Sequence, residues 1–263
     1  MEELRIALIQ TSLHWQNASA NLLHFSKKIN EILEPVDVIV LPEMFTTGFT
    51  MKTGGLAEKE GGETIKWMQE IAFTKNAVVT GSLIFQAGKL FYNRLIWMQA
   101  DGTYFTYDKR HLFRMAGEQN EYSAGSNRLI VPIKGWNICP LICYDLRFPV
   151  WSRNSIQDQN YQYDVLIYIA NWPEIRSFAW KSLLVARAIE NQSYVIGINR
   201  VGEDGNGINY SGDSVALNYL GEKMSSLKEN ADGIEIVTLN YDKLTHFRNQ
   251  FPAGLDADVF EIL

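Results

Sequence analysis

The sequence predicts a mixed α/β fold in which two sheets pack together with helices outside. Three observations lead there. Apolar, often β-branched runs recur along the whole chain, at residues 6–9, 38–41, 78–84, 90–97, 138–142, 165–169, 194–198 and 234–239. Stretches of helical period lie between several of them. Turn dipeptides join other runs directly, and a purely doubly wound parallel sheet would lack so many hairpins.

Each element has its own justification. Leu22, Phe25, Ile29 and Ile32 fall at i, i+3, i+7 and i+10, one face of a helix. Ile65, Met68 and Ala72 repeat the pattern behind Glu63, an acidic first-turn residue. Leu184, Val185, Ala188 and Ile189 form a third stripe, with Ser177 as the expected N-cap. Ala87-Gly88 and Asp101-Gly102 each sit between two strand-like runs. Asp204-Gly205, Asn206-Gly207 and Asp232-Gly233 are similar hairpin signals.

Composition narrows the class. Of 263 residues, 46% are hydrophobic and 21% charged, which excludes long disorder and collagen-like structure. No period repeats and no Pro/Ser-rich linker divides the chain, so residues 1–263 read as one domain. Lys plus Arg is 24 and Asp plus Glu is 30, a net charge of −6 that disfavours nucleic acid and anionic membrane surfaces as partners. The longest apolar runs, such as residues 165–170, fall short of the roughly 18–20 residues of a membrane helix. Met1-Glu2-Glu3 opens no basic-then-apolar stretch, so no signal peptide is expected. The two cysteines, Cys139 and Cys143, are no disulfide framework and predict a reducing compartment, the cytoplasm.

Three segments share one design, an apolar strand running into polar residues. After residues 38–41, Pro42 lacks a ladder donor and should leave Glu43 at the strand rim. Residues 104–107 run into Asp108-Lys109-Arg110-His111, and residues 138–142 into Cys143-Tyr144-Asp145-Leu146-Arg147. Taken alone, a glutamate or lysine is usually solvated and a cysteine usually a small buried hydrophobe. Cys139 keeps that bland reading, and no second Cys/His pair completes a zinc site with the two cysteines. A cysteine nucleophile needs a base or a positive charge nearby. Of His14, His24, His111 and His246, only His111 offers a Cys-His alternative.

In combination the three segments resemble the nitrilase superfamily of carbon–nitrogen hydrolases. The matching motifs are Leu41-Pro42-Glu43-Met44-Phe45, then Tyr107 to Phe113, then Leu141 to Pro149, with Ala186 to Gln192 resembling a later helix of that family. The resemblance covers nearly the whole chain. It implies a four-layer α-β-β-α sandwich, subunits paired as a homodimer, and a Glu43–Lys109–Cys143 triad. It also implies a second glutamate, for which Glu118 fits best and Glu121 competes. No metal, nucleotide or organic cofactor is implied, and no Walker loop or dinucleotide fingerprint is present.

The residue types suit that chemistry. Cys143 would attack an amide carbonyl as thiolate and form a thioester, with Glu43 as general base. Lys109 and the Tyr144 N–H would hold the oxyanion. Two further stretches, residues 43–49 and 171–176, resemble the ω-amidase branch, which hydrolyses the terminal amide of 2-oxoglutaramate and 2-oxosuccinamate. A short substrate carrying a carboxylate needs a cation at its far end. Arg147 and Arg176 are the candidates, Arg114 a weaker one, and each favoured arginine has a local acid, Asp145 or Glu174, that could occupy it instead. Phe45 and Trp172 are expected to wall the pocket. A segment at residues 251–258 also resembles that branch and is expected to pack across a partner subunit. Competing readings are an N-carbamoyl amine hydrolase, an aliphatic amidase, a thioester-forming acyltransferase, and a silent scaffold, which would have no need of all three triad residues.

Overall fold

Side chains along the first strand sort into two cores. In β1 (Leu4–Gln10), Leu4, Ile6 and Leu8 enter one buried cluster, while Ala7 and Ile9 enter another. Successive strand residues point to opposite faces, so a strand buried on both sides lies in an inner layer. The computed structural model describes residues 2–157 and 160–261.

β1 belongs to a six-stranded sheet in the order β15 (Gly233–Leu239), β1, β2 (Val38–Val40), β3 (Val78–Ala87), β4 (Leu90–Met98) and β5 (Tyr104–Asp108). β1, β2 and β3 run parallel, and β15, β4 and β5 add antiparallel pairs at the edges. A five-stranded sheet follows the order β14 (Val215–Leu217), β11 (Tyr194–Asn199), β10 (Val165–Ala170), β7 (Trp136–Ile142) and β6 (Val131–Ile133). Its three central strands are parallel. Two short hairpins stand apart, β8 (Ile156–Gln157) with β9 (Asn160–Tyr161) and β12 (Val201–Glu203) with β13 (Asn209–Ser211).

Helices complete the layers. α1 (Ala18–Asn30) and α2 (Glu63–Lys75) set Phe25, Ile29, Ile65 and Met68 against Ile39, Val79, Leu83 and Ile96 on the outer face of the first sheet. The alternate residues Val38, Val40, Leu95 and Trp97 face inward and meet Ile138, Leu141 and their neighbours. α5 (Ser177–Asn191) lays Trp180, Leu184 and Ala188 over the far side of the second sheet. The result is the four-layer α-β-β-α sandwich. Each such buried side chain contributes about 1.5–3 kcal/mol of transfer free energy. Three short helices, α3 (Glu118–Glu121), α4 (Pro149–Ser152) and α6 (Tyr241–Gln250), lie between or after the sheets.

Three local expectations are corrected. Ser177 is the first helical residue of α5, not its N-cap; Arg176 holds that position and makes no side-chain capping bond. Ile32 is buried but lies past the end of α1. Asp232-Gly233 leads into β15, which pairs with the distant β1, so it closes no hairpin. Residues 251–258 are tied to their own chain: Gln192 Nε2 donates to the Phe251 carbonyl at 2.7 Å and Gly254 N–H donates to Gln192 Oε1 at 3.1 Å. Among the described residues, no helix is long and apolar enough to cross a membrane.

Candidate active site

The rims of both sheets meet at one end of the sandwich. β2 ends at Val40 and the chain turns through Pro42 to Glu43. β5 delivers Lys109, β7 delivers Cys143, and β10 delivers Asn171 one residue past its last strand position. Met44 and Cys143 take left-handed backbone, with φ of 43° and 44°. For residues with a Cβ, such conformations cost on the order of 1–3 kcal/mol and persist where surrounding structure fixes them.

Four buried titratable groups converge there. Lys109 Nζ lies 2.9 Å from Glu43 Oε1 and 3.0 Å from each carboxylate oxygen of Glu118. Asn93 Nδ2 donates to Glu43 Oε1 at 2.7 Å, and Asn171 N–H donates to Glu43 Oε2 at 2.8 Å. The Phe113 N–H donates to Glu118 Oε2 at 2.5 Å. The Cys143 thiol donates to the Asn171 main-chain oxygen at 3.9 Å. Burial alone would depress Lys109, but Glu118 and Glu43 outweigh it and hold the ammonium above the usual lysine range. Burial raises Glu118, with Lys109 opposing and Glu43 adding to the rise. Burial, with the Glu43 charge behind it, pushes the Cys143 thiol well up. That direction favours the thiol over the thiolate until a base takes its proton.

A buried carboxylate ties the Cys143 turn to the Lys109 loop. Asp145 accepts from Ile142 N at 3.1 Å, Tyr107 OH at 2.7 Å and His111 N at 3.0 Å, and contacts His111 Nδ1 at 2.8 Å. His111 stacks on Phe148 with ring centroids 3.7 Å apart, so it is turned to Asp145 and is no partner for the sulfur. Gly125 donates its N–H to the Lys109 carbonyl at 3.0 Å, and a Cβ there would lie 2.1 Å from the Asp108 carbonyl oxygen.

A cavity of about 660 Å³ opens over these groups. Lys109, Cys143, Tyr144, Arg147, Trp172 and Arg176 all line it, with Phe49 and Phe113 among its apolar walls. The Arg147 guanidinium carbon sits 4.9 Å from the Trp172 ring centroid, and that of Arg176 lies 5.5 Å from the Phe113 ring. Among the described residues, no ion pair joins either arginine to a carboxylate: Asp145 serves Tyr107 and His111, and Arg176 donates to Met115 Sδ at 3.3 Å. Tyr144 lies in the first turn of a 3-10 segment, where N–H groups lack intrahelical acceptors.

Some expected residues fall elsewhere. Phe45 is fully buried beneath α1 and α2, its ring 5.5 Å from Phe25, and does not line the cavity. The left-handed turn at Met44 sends it under the sheet, over Gly81, whose absent Cβ would lie 2.8 Å from the Phe45 ring. Arg114 is exposed and outside the lining, and Glu121 is exposed while Glu118 is fully buried. The hydrogen bonds of Asn93 and Asn171 to Glu43 escaped the sequence reading, which took Asp145 only as an acid that could pair with Arg147. The available signal was a polar residue within or at the end of an apolar strand, as Asn93 is in β4. Among the described residues, no group of three or more His, Cys, Asp or Glu is arranged to hold a metal.

Comparison with known proteins bears on the family of the chain. The carbon-nitrogen hydrolase family model matches residues 5–249. Over the full length of both chains, the sequence is 46% identical to an omega-amidase YafV of Yersinia enterocolitica. It is 32% identical to a 2-oxoglutaramate amidase of Bacillus subtilis, across 84% of this chain and 85% of that one. A solved CN-hydrolase superfamily protein of Xanthomonas campestris, with an arsenic adduct in its active site, superposes with a TM-score of 0.98 at 39% identity over all of both chains. A site that brings a thiol, an ammonium and two carboxylates together at the rims of this sandwich, in a chain matched along nearly all its length, leads to one conclusion: the chain belongs to the carbon–nitrogen hydrolase family and is an amidohydrolase.

Proposed function

We propose that the protein hydrolyses the terminal amide of a small 2-oxo acid amide, 2-oxoglutaramate or 2-oxosuccinamate, through a thioester on Cys143. The observation that carries the substrate is the pair Arg147 and Arg176, two guanidinium groups lining the cavity beside the triad without a carboxylate of their own. A substrate carboxylate supplies the missing partner, gripped by parallel hydrogen bonds. The names of the relatives, an omega-amidase and a 2-oxoglutaramate amidase, support the same choice.

The steps balance without a further reactant. Glu43 takes the thiol proton as sulfur attacks the amide carbonyl carbon. Lys109 and the Tyr144 N–H hold the resulting oxyanion, a contribution typically worth about 10²–10³ in rate per donor. The tetrahedral species collapses, the C–N bond breaks, and Glu43 returns its proton to the departing ammonia. Glu43, with Glu118 beside Lys109, then activates a water that attacks the thioester. The acid leaves and the sulfur recovers its proton. The raised Lys109 supports its role as a fixed cation and not a base.

The same reading treats the chain as one domain that works as a homodimer in the cytoplasm, on a small-molecule amide and not on nucleic acid or membrane. Exposed Ile175, Phe178 and Ile189, in and beside α5, offer an apolar face for a second copy, and both cysteines are free. Solution mass tests the pairing. The activity is tested by ammonia release from 2-oxoglutaramate set against an N-carbamoyl amine and a neutral aliphatic amide. Turnover of the oxo-acid amide, with an acyl adduct by intact mass that Cys143→Ala abolishes, is the expected result. No turnover of it, or an adduct on Cys139, defeats the reading.

A further inference from the structure

We propose that Asn171 is a positioning residue that holds Glu43 at both ends and sets where the Cys143 proton is received. This rests on the reading of Glu43 as base and Cys143 as nucleophile. The Asn171 side chain donates from Nδ2 to the Glu43 main-chain oxygen at 2.5 Å. Its main-chain N–H donates to Glu43 Oε2 at 2.8 Å, and its main-chain oxygen receives the Cys143 thiol at 3.9 Å. One residue thus touches the base twice and the nucleophile once.

The side-chain bond acts on a strained place. The peptide joining Glu43 to Met44 leads into left-handed backbone at Met44. Its N–H is held by Ser82 Oγ at 2.9 Å and its carbonyl by Asn171, so it is clamped on both sides. Without the Asn171 carboxamide the carbonyl is free to turn, and the glutamate side chain turns with it.

The main-chain bond acts on the carboxylate. An ionised carboxylate offers about four acceptor positions. On Glu43, Lys109 and Asn93 occupy Oε1 and the Asn171 N–H takes one position on Oε2. Among the described residues, those three bonds leave one acceptor position on Oε2, the oxygen that Asn171 orients, for the Cys143 proton. Asn171 itself is anchored: the Asn199 carboxamide brackets the next residue, accepting from Trp172 N at 2.8 Å and donating to the Trp172 oxygen at 2.9 Å.

The remaining atom of the carboxamide shows which part of it is used. Asn171 Oδ1 is buried with no hydrogen-bond partner among the described residues. A buried carbonyl left unpaired is unfavourable. A side chain serving only to fill space has no reason to carry one, whereas a donor aimed at Glu43 does.

The near-isosteric Asn171→Asp removes the donor and keeps the shape, while Asn171→Ser shortens the side chain but keeps a hydroxyl donor. Three quantities are measured in each: Cys143 alkylation by iodoacetamide from pH 6 to 10, followed by intact mass; kcat and KM on 2-oxoglutaramate; and melting temperature. For Asn171→Asp the expected result is a kcat lower by about 10²-fold with KM within about threefold. Its alkylation pH profile moves toward that of Glu43→Gln, and serine restores part of the loss. Where the aspartate variant does not fold, the serine variant and its pH profile decide. Alkylation and kcat at the level of the unaltered protein, or a kcat loss that only follows the folded fraction, overturn the proposal. If the unaltered protein fails to turn over 2-oxoglutaramate while its alkylation still depends on Glu43 and Asn171, the substrate reading fails and this inference stands.

Discussion

Lys109 Nζ stands 3.0 Å from both carboxylate oxygens of Glu118, and both side chains are buried from solvent. Only one negative charge is needed to neutralise an ammonium, and Glu43 already lies 2.9 Å away. Glu118 is therefore surplus as a counter-ion, and its charge bears on the Glu43 carboxylate that shares Lys109 with it. Glu118→Gln should lower kcat by about 10²-fold. Glu121→Gln, on the exposed side of α3, should stay within about twofold. Steady-state kinetics across pH on both variants checks this, and equal losses in the two would defeat it.

Arg147→Met and Arg176→Met separate substrate recognition from chemistry. A hydrogen bond to a charged group is worth enough to change kcat/KM by about 10- to 10²-fold. That loss is expected on 2-oxoglutaramate, with change within about threefold on a neutral aliphatic amide under the same scale. Parallel assays of the two substrates give the ratio. A uniform loss on both would mean that the arginines shape the cavity and do not read a carboxylate.

Asp145→Asn tests the tie between the nucleophile turn and the lysine loop. Ile142 N, Tyr107 OH and the His111 main-chain N–H all direct hydrogens at this carboxylate. A carboxamide can accept on one atom only, and each buried donor left over costs about 1–3 kcal/mol. Urea unfolding should show a loss of that size, together with kcat reduced by about 10²-fold at temperatures where the variant is folded. An unchanged midpoint would remove Asp145 from this role.

Alkaline pH should destabilise the fold through Cys139. Burial pushes its thiol from 9.0 up to about 12. The folded state therefore keeps a proton that the unfolded chain releases above pH 9, and stability falls as pH rises from 9 toward 12. The slope from this group is about 1.4 kcal/mol per pH unit. Urea midpoints between pH 8 and 10.5 should fall less steeply in Cys139→Val than in the unaltered protein. Identical slopes would show that the thiol titrates normally.

The strands were legible because their apolar runs are long and bounded, and Glu43, Lys109 and Cys143 were legible because each follows such a run. Phe45 was misplaced for a physical reason. Proximity to Glu43 along the chain suggested the pocket, but the left-handed turn at Met44 reverses the chain and delivers the ring to the core under α1. The bonds of Asn93 to Glu43, His111 to Asp145 and Asn171 to Glu43 were illegible because they span 50, 34 and 128 residues. No local pattern announces a bond whose other end is set by the packing of two sheets. Ser177 looked like a cap on residue type alone, yet the turn before it places Arg176 there.

Glu43 and Lys109 hang from the six-stranded sheet, whereas Cys143 and Asn171 hang from the five-stranded one. Catalytic alignment is thus a measure of how the halves of the sandwich are registered. A slip of an ångström between layers, too small to expose any hydrophobic side chain, would part thiol from carboxylate while every strand stayed paired. Heat or denaturant should silence the enzyme before circular dichroism records any loss of secondary structure.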